Sequence, residues 1–156
     1  MLQSLSIIGD IESLGRIMEA KQQKKPKILI LASETCAYPG ADNVGQIHAE
    51  YPTNTYVIRV PAPVVYPEDF YLRCFEKGIA GIIVMSCGHE CPYEGAYDRL
   101  AQRIAQTHKL MKEHGLETNR LRLCAICTVC SKAFLKEVNL MNELLMSTAT
   151  STAPEN

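Results

Sequence analysis

No run of like charge, no membrane-length apolar stretch and no nucleotide-binding glycine pattern occurs in these 156 residues. Each absence removes a class of function. The formal charge of −1 lacks the basic excess of a nucleic-acid-binding surface. The longest apolar run, residues 79–85, is interrupted by Ala80 and Gly81 and falls far short of the roughly 20 residues a membrane helix needs. Neither the dinucleotide fingerprint nor the phosphate-loop motif is present, and no Ser-His-Asp arrangement is nominated by spacing. Residues 1–20 carry Asp10 and Glu12 and lack a basic start or a small-residue cleavage site, so they do not read as a secretory signal. The expected location is cytoplasmic. There thiols stay reduced, and an odd count of seven cysteines points to metal or redox chemistry rather than structural disulfides.

What is present is the pattern of a single α/β domain. A chain of this length buries about 68 to 70% of its unfolded surface and needs no staples to fold. Residues 27–32 form a short apolar run with the Ile and Leu content of a strand buried on both faces. Residues 33–40 read as a loop because of Pro39-Gly40, with a helix expected over about 41–50. Residues 55–60 are β-branched and aromatic, a second strand stopped by Pro61 and Pro63. A helix over 68–77 shows an apolar side of Phe70, Leu72, Cys74 and Phe75, with Gly78 at its C-terminal cap. Residues 80–85 make strand three. Leu100, Ile104, His108 and Met111 then mark a helix over 93–114, closed by Gly115. Strand four covers 121–126, and Phe134, Leu135, Val138, Leu140, Met141 and Leu144 give a last amphipathic helix.

Strands alternating with helices at this spacing predict a small doubly wound, flavodoxin-like sheet of four parallel strands with flanking helices. The domain should span residues 26–146. Residues 147–156 read as a disordered tail. Residues 1–25 carry a stripe of Ile7, Ile8, Ile11, Leu14, Ile17 and Met18, read as a helical docking arm or as a helix folded back on its own sheet.

In such sheets ligands sit outside the carboxyl ends of the strands, and five cysteines are predicted there. Cys36 follows strand one, Cys87 and Cys91 follow strand three, and Cys127 and Cys130 follow strand four. Thiolates converging on one edge can hold an iron-sulfur cluster, delivered by loops far apart in sequence. Cys74 and Cys124 read instead as packing residues on a helix and inside strand four. A structural zinc held by the two close pairs is one competitor, and a dithiol that cycles as a disulfide is another. His89 lies between Cys87 and Cys91 but reads as solvent-facing, while His48, His108 and His114 fall on predicted helix surfaces.

Beyond spacing, the residues themselves resemble a known family. Cys36-Ala37-Tyr38-Pro39-Gly40-Ala41-Asp42, Ile58-Arg59-Val60-Pro61, Glu76-Lys77-Gly78 with Gly81-Ile82-Ile83-Val84, Cys91-Pro92-Tyr93-Glu94-Gly95-Ala96-Tyr97 and Arg120-Leu121-Arg122-Leu123 are similar to the delta subunit of methyl-viologen-reducing hydrogenase. The resemblance covers residues 27–145. It implies a small α/β protein with one 2Fe-2S cluster, a relay rather than a catalyst. Its implied partners are a hydrogenase, formate dehydrogenase or other oxidoreductase on one side. On the other stands the flavin and iron-sulfur A subunit of a heterodisulfide-reductase-type complex.

Measured against that family pattern, two cysteines are missing, with Ser33 and Ala62 standing in their places, and the third-strand pair is spaced by three residues instead of four. Only Cys36, Cys87 and Cys91 carry over, one ligand short of a cluster. Cys127 and Cys130 are expected to repair the deficit, with strands one, three and four as ligand source in place of one, two and three. The rival expectation is a structural adaptor that is metal-free or holds zinc.

Overall fold

Alternation of side chains along two central strands explains how this chain builds its layers. The structure, a computed structural model, describes residues 25–151. Four strands, β1 (Lys27–Ser33), β2 (Thr55–Val60), β3 (Ile79–Ser86) and β4 (Leu121–Ala125), form one parallel sheet in the order β2-β1-β3-β4. Successive residues of a strand point to opposite faces. Ile28, Ile30 and Ala32 of β1 and Ile83 and Met85 of β3 therefore enter one core, and Leu29, Leu31, Ile82 and Val84 enter the other. Apart from Lys27, Ser33 and Ser86 at their ends, both central strands are apolar because both of their faces are covered.

The first core lies under α1 (Ala37–Gln46) and α4 (Ser131–Ser151), which pack on each other, and the second under α2 (Glu68–Glu76) and α3 (Ala96–Glu113). The doubly wound four-stranded arrangement expected from the sequence is thus the one observed. Because the chain leaves β1 for one edge of the sheet and returns through β3 to the other, the strand order reverses between β1 and β3. A crevice at the carboxyl ends of those two strands follows from that reversal.

Boundaries differ most at two helices, each for a physical reason, while α3 starts three residues later than expected. α1 begins at Ala37, inside the stretch read as a loop, because Pro39 lies in the first turn, where a missing N–H leaves no hydrogen bond unmade. α4 runs through Ser151, five residues into the stretch read as a disordered tail. Ser147 and Thr148 donate their hydroxyls to the Leu144 carbonyl along that last part. The docking arm read in residues 1–25 lies, but for Lys25, outside the described residues. Among the described residues no helix is long and apolar enough to cross a membrane.

Tyr71 of α2 is fully buried in the second core, and its hydroxyl has no hydrogen-bond partner among the described residues. Burial pushes its phenol well above the usual range, so it stays neutral at any ordinary pH. Removing an unpaired buried hydroxyl relieves a desolvation cost. Tyr71→Phe is therefore expected to hold or raise stability by about 1 kcal/mol, read as the urea midpoint. A clear drop would show that the hydroxyl is paired after all.

Candidate functional site at the carboxyl edge of the sheet

Three loops meet where β1, β3 and β4 end, and each carries sulfur. β1 ends at Ser33, a three-residue turn follows, and Cys36, a buried residue, stands at the N-cap position of α1. β3 ends at Ser86, Cys87 comes next, and a 3₁₀ turn over Gly88–Glu90 leads to Cys91, whose N–H bonds the Gly88 carbonyl at 3.3 Å. Beyond β4, the Ile126 N–H reaches back to the Ser86 carbonyl at 2.9 Å, which ties the third loop to the second. Cys127 follows, and Cys130 stands immediately before α4.

Two glycines allow these loops to touch. A Cβ on Gly40, in the first turns of α1, would stand 3.1 Å from the Cys127 carbonyl oxygen, so a side chain there would push the first and third loops apart. Gly88 turns at a φ of +65°, and a Cβ on it would sit 3.1 Å from the Ala125 methyl.

Adjacency of β1 and β3 puts Cys36 beside Cys87, 51 residues away in sequence, and the two are disulfide-bonded with a Cα separation of 5.6 Å. Cys127 and Cys130 form a second disulfide across 5.2 Å between Cα atoms. Cys36, Cys87 and Cys127 line one open cavity of about 250 Å³ together with Thr35, Pro92 and Ile126. Cys91 does not join them. It lines a separate space on the β2 side with Ser33, Ala62 and Cys87, only about 10 Å³ in volume, room for a single water. Among the described residues no three His, Cys, Asp or Glu side chains stand together as a ready metal site.

Electrostatics at this edge favour negative charge. Cys36 and Cys130 each precede a helix N-terminus, whose unsatisfied N–H groups stabilise a thiolate or an anionic group in front of them. Two hydroxyls that the sequence did not single out as contacts also face the sulfurs. Ser33 Oγ is 3.1 Å from Cys36 Sγ, and Thr35 Oγ1 is 3.2 Å from Cys87 Sγ. No local motif marks Thr35, because its neighbour is supplied by the pairing of β1 with β3.

Among the described residues, neither Cys74 nor Cys124 nor any histidine makes a hydrogen bond to these sulfurs. Cys124 lies within β4 and donates to Glu137 Oε2 at 3.3 Å, with Arg122 paired to the same carboxylate at 2.9 Å. Burial first, and then the Glu137 charge, push its thiol up to about 12, so it stays protonated at neutral pH. Cys74 is half-buried, and burial raises its thiol as well. His89 is exposed, as expected, and lies beside Asp98 and the edge of Tyr97 instead of a sulfur. His48 and His114 are exposed too, although His48 sits in the turn after α1. His108 departs from its surface reading: it is half-buried, with Nε2 2.9 Å from the Leu121 carbonyl oxygen.

Known proteins resemble this chain over most of the described domain. Residues 28–147 match the family model described as methyl-viologen-reducing hydrogenase, delta subunit. The chain is 35% identical over 104 residues, 65% of its length and 75% of the relative's, to the iron-sulfur D subunit of the F420-non-reducing hydrogenase of Archaeoglobus profundus. It is 25% identical over 117 residues to the iron-sulfur D subunit of an F420-non-reducing hydrogenase of Methanocaldococcus jannaschii, covering 74% of this chain and 87% of that one. It is also 31% identical over 130 residues to the A subunit of the ferredoxin/F(420)H(2)-dependent CoB-CoM heterodisulfide reductase of Methanosarcina acetivorans. That match takes in 81% of this chain and only 16% of the far longer relative. With the family model spanning nearly the whole described sheet and its helices, the chain belongs to the methyl-viologen-reducing hydrogenase delta subunit family.

Proposed function

We propose that this chain is a cytoplasmic electron-transfer component of a hydrogenase or heterodisulfide-reductase-type complex, with a 2Fe-2S centre at the β1-β3-β4 edge of its sheet. The observation that carries the reading is the unequal division of space at that edge. The side facing β2, where Ser33 and Ala62 stand, offers about 10 Å³, whereas the side facing β4 offers about 250 Å³ lined by Cys36, Cys87 and Cys127.

The donor set fits such a centre in number and in pairing. A 2Fe-2S cluster takes four cysteines, and two close pairs are available, Cys36 with Cys87 and Cys127 with Cys130. Sulfurs bound to one tetrahedral metal at about 2.3 Å lie roughly 3.7 Å apart, within reach of pairs whose Cα atoms are 5.6 and 5.2 Å apart. Under reducing conditions the two disulfides open to thiols, which would lose their protons on binding iron, and the N-termini of α1 and α4 would offset the resulting charge. When bound, the cluster accepts and releases single electrons. Cys91 stays outside this set.

Partners follow from the relatives, which are named as hydrogenase D subunits and as the A subunit of a heterodisulfide reductase. The match to the A subunit, in which a related stretch forms a small part of a longer polypeptide, supports contact with a protein of that kind. A second reading, a metal-free or zinc-holding adaptor, is favoured by one observation, the uptake of all four sulfurs in disulfides. Iron, sulfide and zinc counts on anaerobically purified chain separate the two. About two irons with matching sulfide per chain is the expected result. One zinc, or no metal, would replace the relay by the adaptor.

A further inference from the structure

Two hydroxyls stand against the sulfur pair that follows β1 and β3. Ser33 Oγ lies 3.1 Å from Cys36 Sγ and 3.9 Å from Cys87 Sγ. Thr35 Oγ1 lies 3.2 Å from Cys87 Sγ and 3.8 Å from Cys36 Sγ. The two sulfurs are joined, so neither carries a proton, and the hydroxyls are the donors. Ser33 Oγ also accepts the Ala37 N–H at 3.4 Å, which leaves its one proton free for Cys36. At 3% exposure it meets little competition from water, whereas Thr35 is exposed. Among the described residues no side-chain hydroxyl makes such a contact with Cys127 or Cys130.

We propose that Ser33 and Thr35 are positioning residues that raise the reduction potential of the Cys36–Cys87 sulfur centre, Ser33 more strongly than Thr35. Reduction puts negative charge on sulfur, and a hydrogen bond to a charged acceptor is about twice as strong as one to a neutral acceptor. The donors therefore stabilise the reduced state more than the oxidised one. Ser33, which fills a place where the resemblance leads one to expect a ligand, acts instead through Cys36. The same donors would tune a bound cluster, and to that extent the inference rests on the relay reading. Its test does not, because it runs on the metal-free full chain.

The chain is equilibrated in mixtures of reduced and oxidised dithiothreitol. At a pH above the ordinary thiol range, each Cys36–Cys87 bond reduced becomes two thiolates by taking two electrons from one dithiothreitol, which closes to its cyclic disulfide and gives its two protons to the buffer. Alkylation and peptide mass measurement report the two sulfur pairs separately. Ser33→Ala is expected to shift the Cys36–Cys87 equilibrium about tenfold toward the disulfide, about 30 mV for a two-electron couple. Thr35→Val should shift it about threefold in the same direction. Ser33→Thr should behave as wild type, and the Cys127–Cys130 couple should not move in any variant. An unmoved Cys36–Cys87 equilibrium in Ser33→Ala would overturn the proposal. So would an equal displacement of both couples, which would indicate a general loosening of this edge. An absence of iron in the purified chain would defeat the relay reading and leave this result standing.

Discussion

Replacing Cys127 and Cys130 together by serine is expected to strip the chain of its iron after anaerobic reconstitution, while Cys91→Ser leaves the metal content unchanged. The double substitution removes both thiolates of one close pair, and serine oxygen is a hard donor poorly matched to a site that selects for thiolate. Cys91 lines the water-sized space on the β2 side and shares no cavity with Cys127. The fold should tolerate the change. Serine is a favoured residue ahead of a helix, which is where Cys130 stands, and Cys127 is only half-buried. Iron analysis with visible absorption on both variants, beside circular dichroism to verify folding, gives the answer. Iron kept by the double variant and lost from Cys91→Ser would move the centre to the β1-β2-β3 side and refute its placement beside β4.

Phe134→Ala is the substitution expected to cost most in stability, about 3 to 5 kcal/mol. Phe134 is fully buried in the first turn of α4, within the core beneath α1 and α4, and meets Tyr51 edge-on at 5.9 Å between ring centres. Truncation leaves a cavity between rigid elements, and total stabilities are only about 5 to 15 kcal/mol. The thermal midpoint should fall by roughly 10 °C, with the urea slope unchanged. A loss below about 1 kcal/mol would mean that α4 does not anchor on the sheet through this ring.

Much of the fold can be read from the sequence because its strands are defined by composition alone. β2 spans residues 55–60 as expected, since β-branched and aromatic residues stop at Pro61. The central strands differ by a residue or two at their ends, Ser33 and Ile79 among them, where burial and not propensity decides. α1 is harder to read, because Pro39-Gly40 is a breaker pair in most settings and a permitted first-turn pair here. His108 misleads because helical spacing does not reveal that the Leu121 carbonyl lies across the packing of α3 on β4.

The site is legible as a set of loops but not as a set of pairs. Spacing puts five cysteines after strand ends. Only the order β2-β1-β3-β4 brings Cys36 to Cys87 and Cys127, leaves Ala62 beyond the far edge strand, and turns Cys91 toward the other side. Neighbour relations of that kind are created by folding and have no local signature in the chain.

Sulfurs contributed by the loops after β1 and β3, 51 positions apart in sequence, and by a loop that needs β4 in place, imply on the relay reading a sequence of events during biosynthesis. A ribosome-bound fragment ending before residue 130 would hold an incomplete set of donors, and its early cysteines would be open to misplaced partners. On the relay reading proposed above, loading would therefore follow folding of the chain through residue 130. Maturation would then respond to folding efficiency as much as to iron supply.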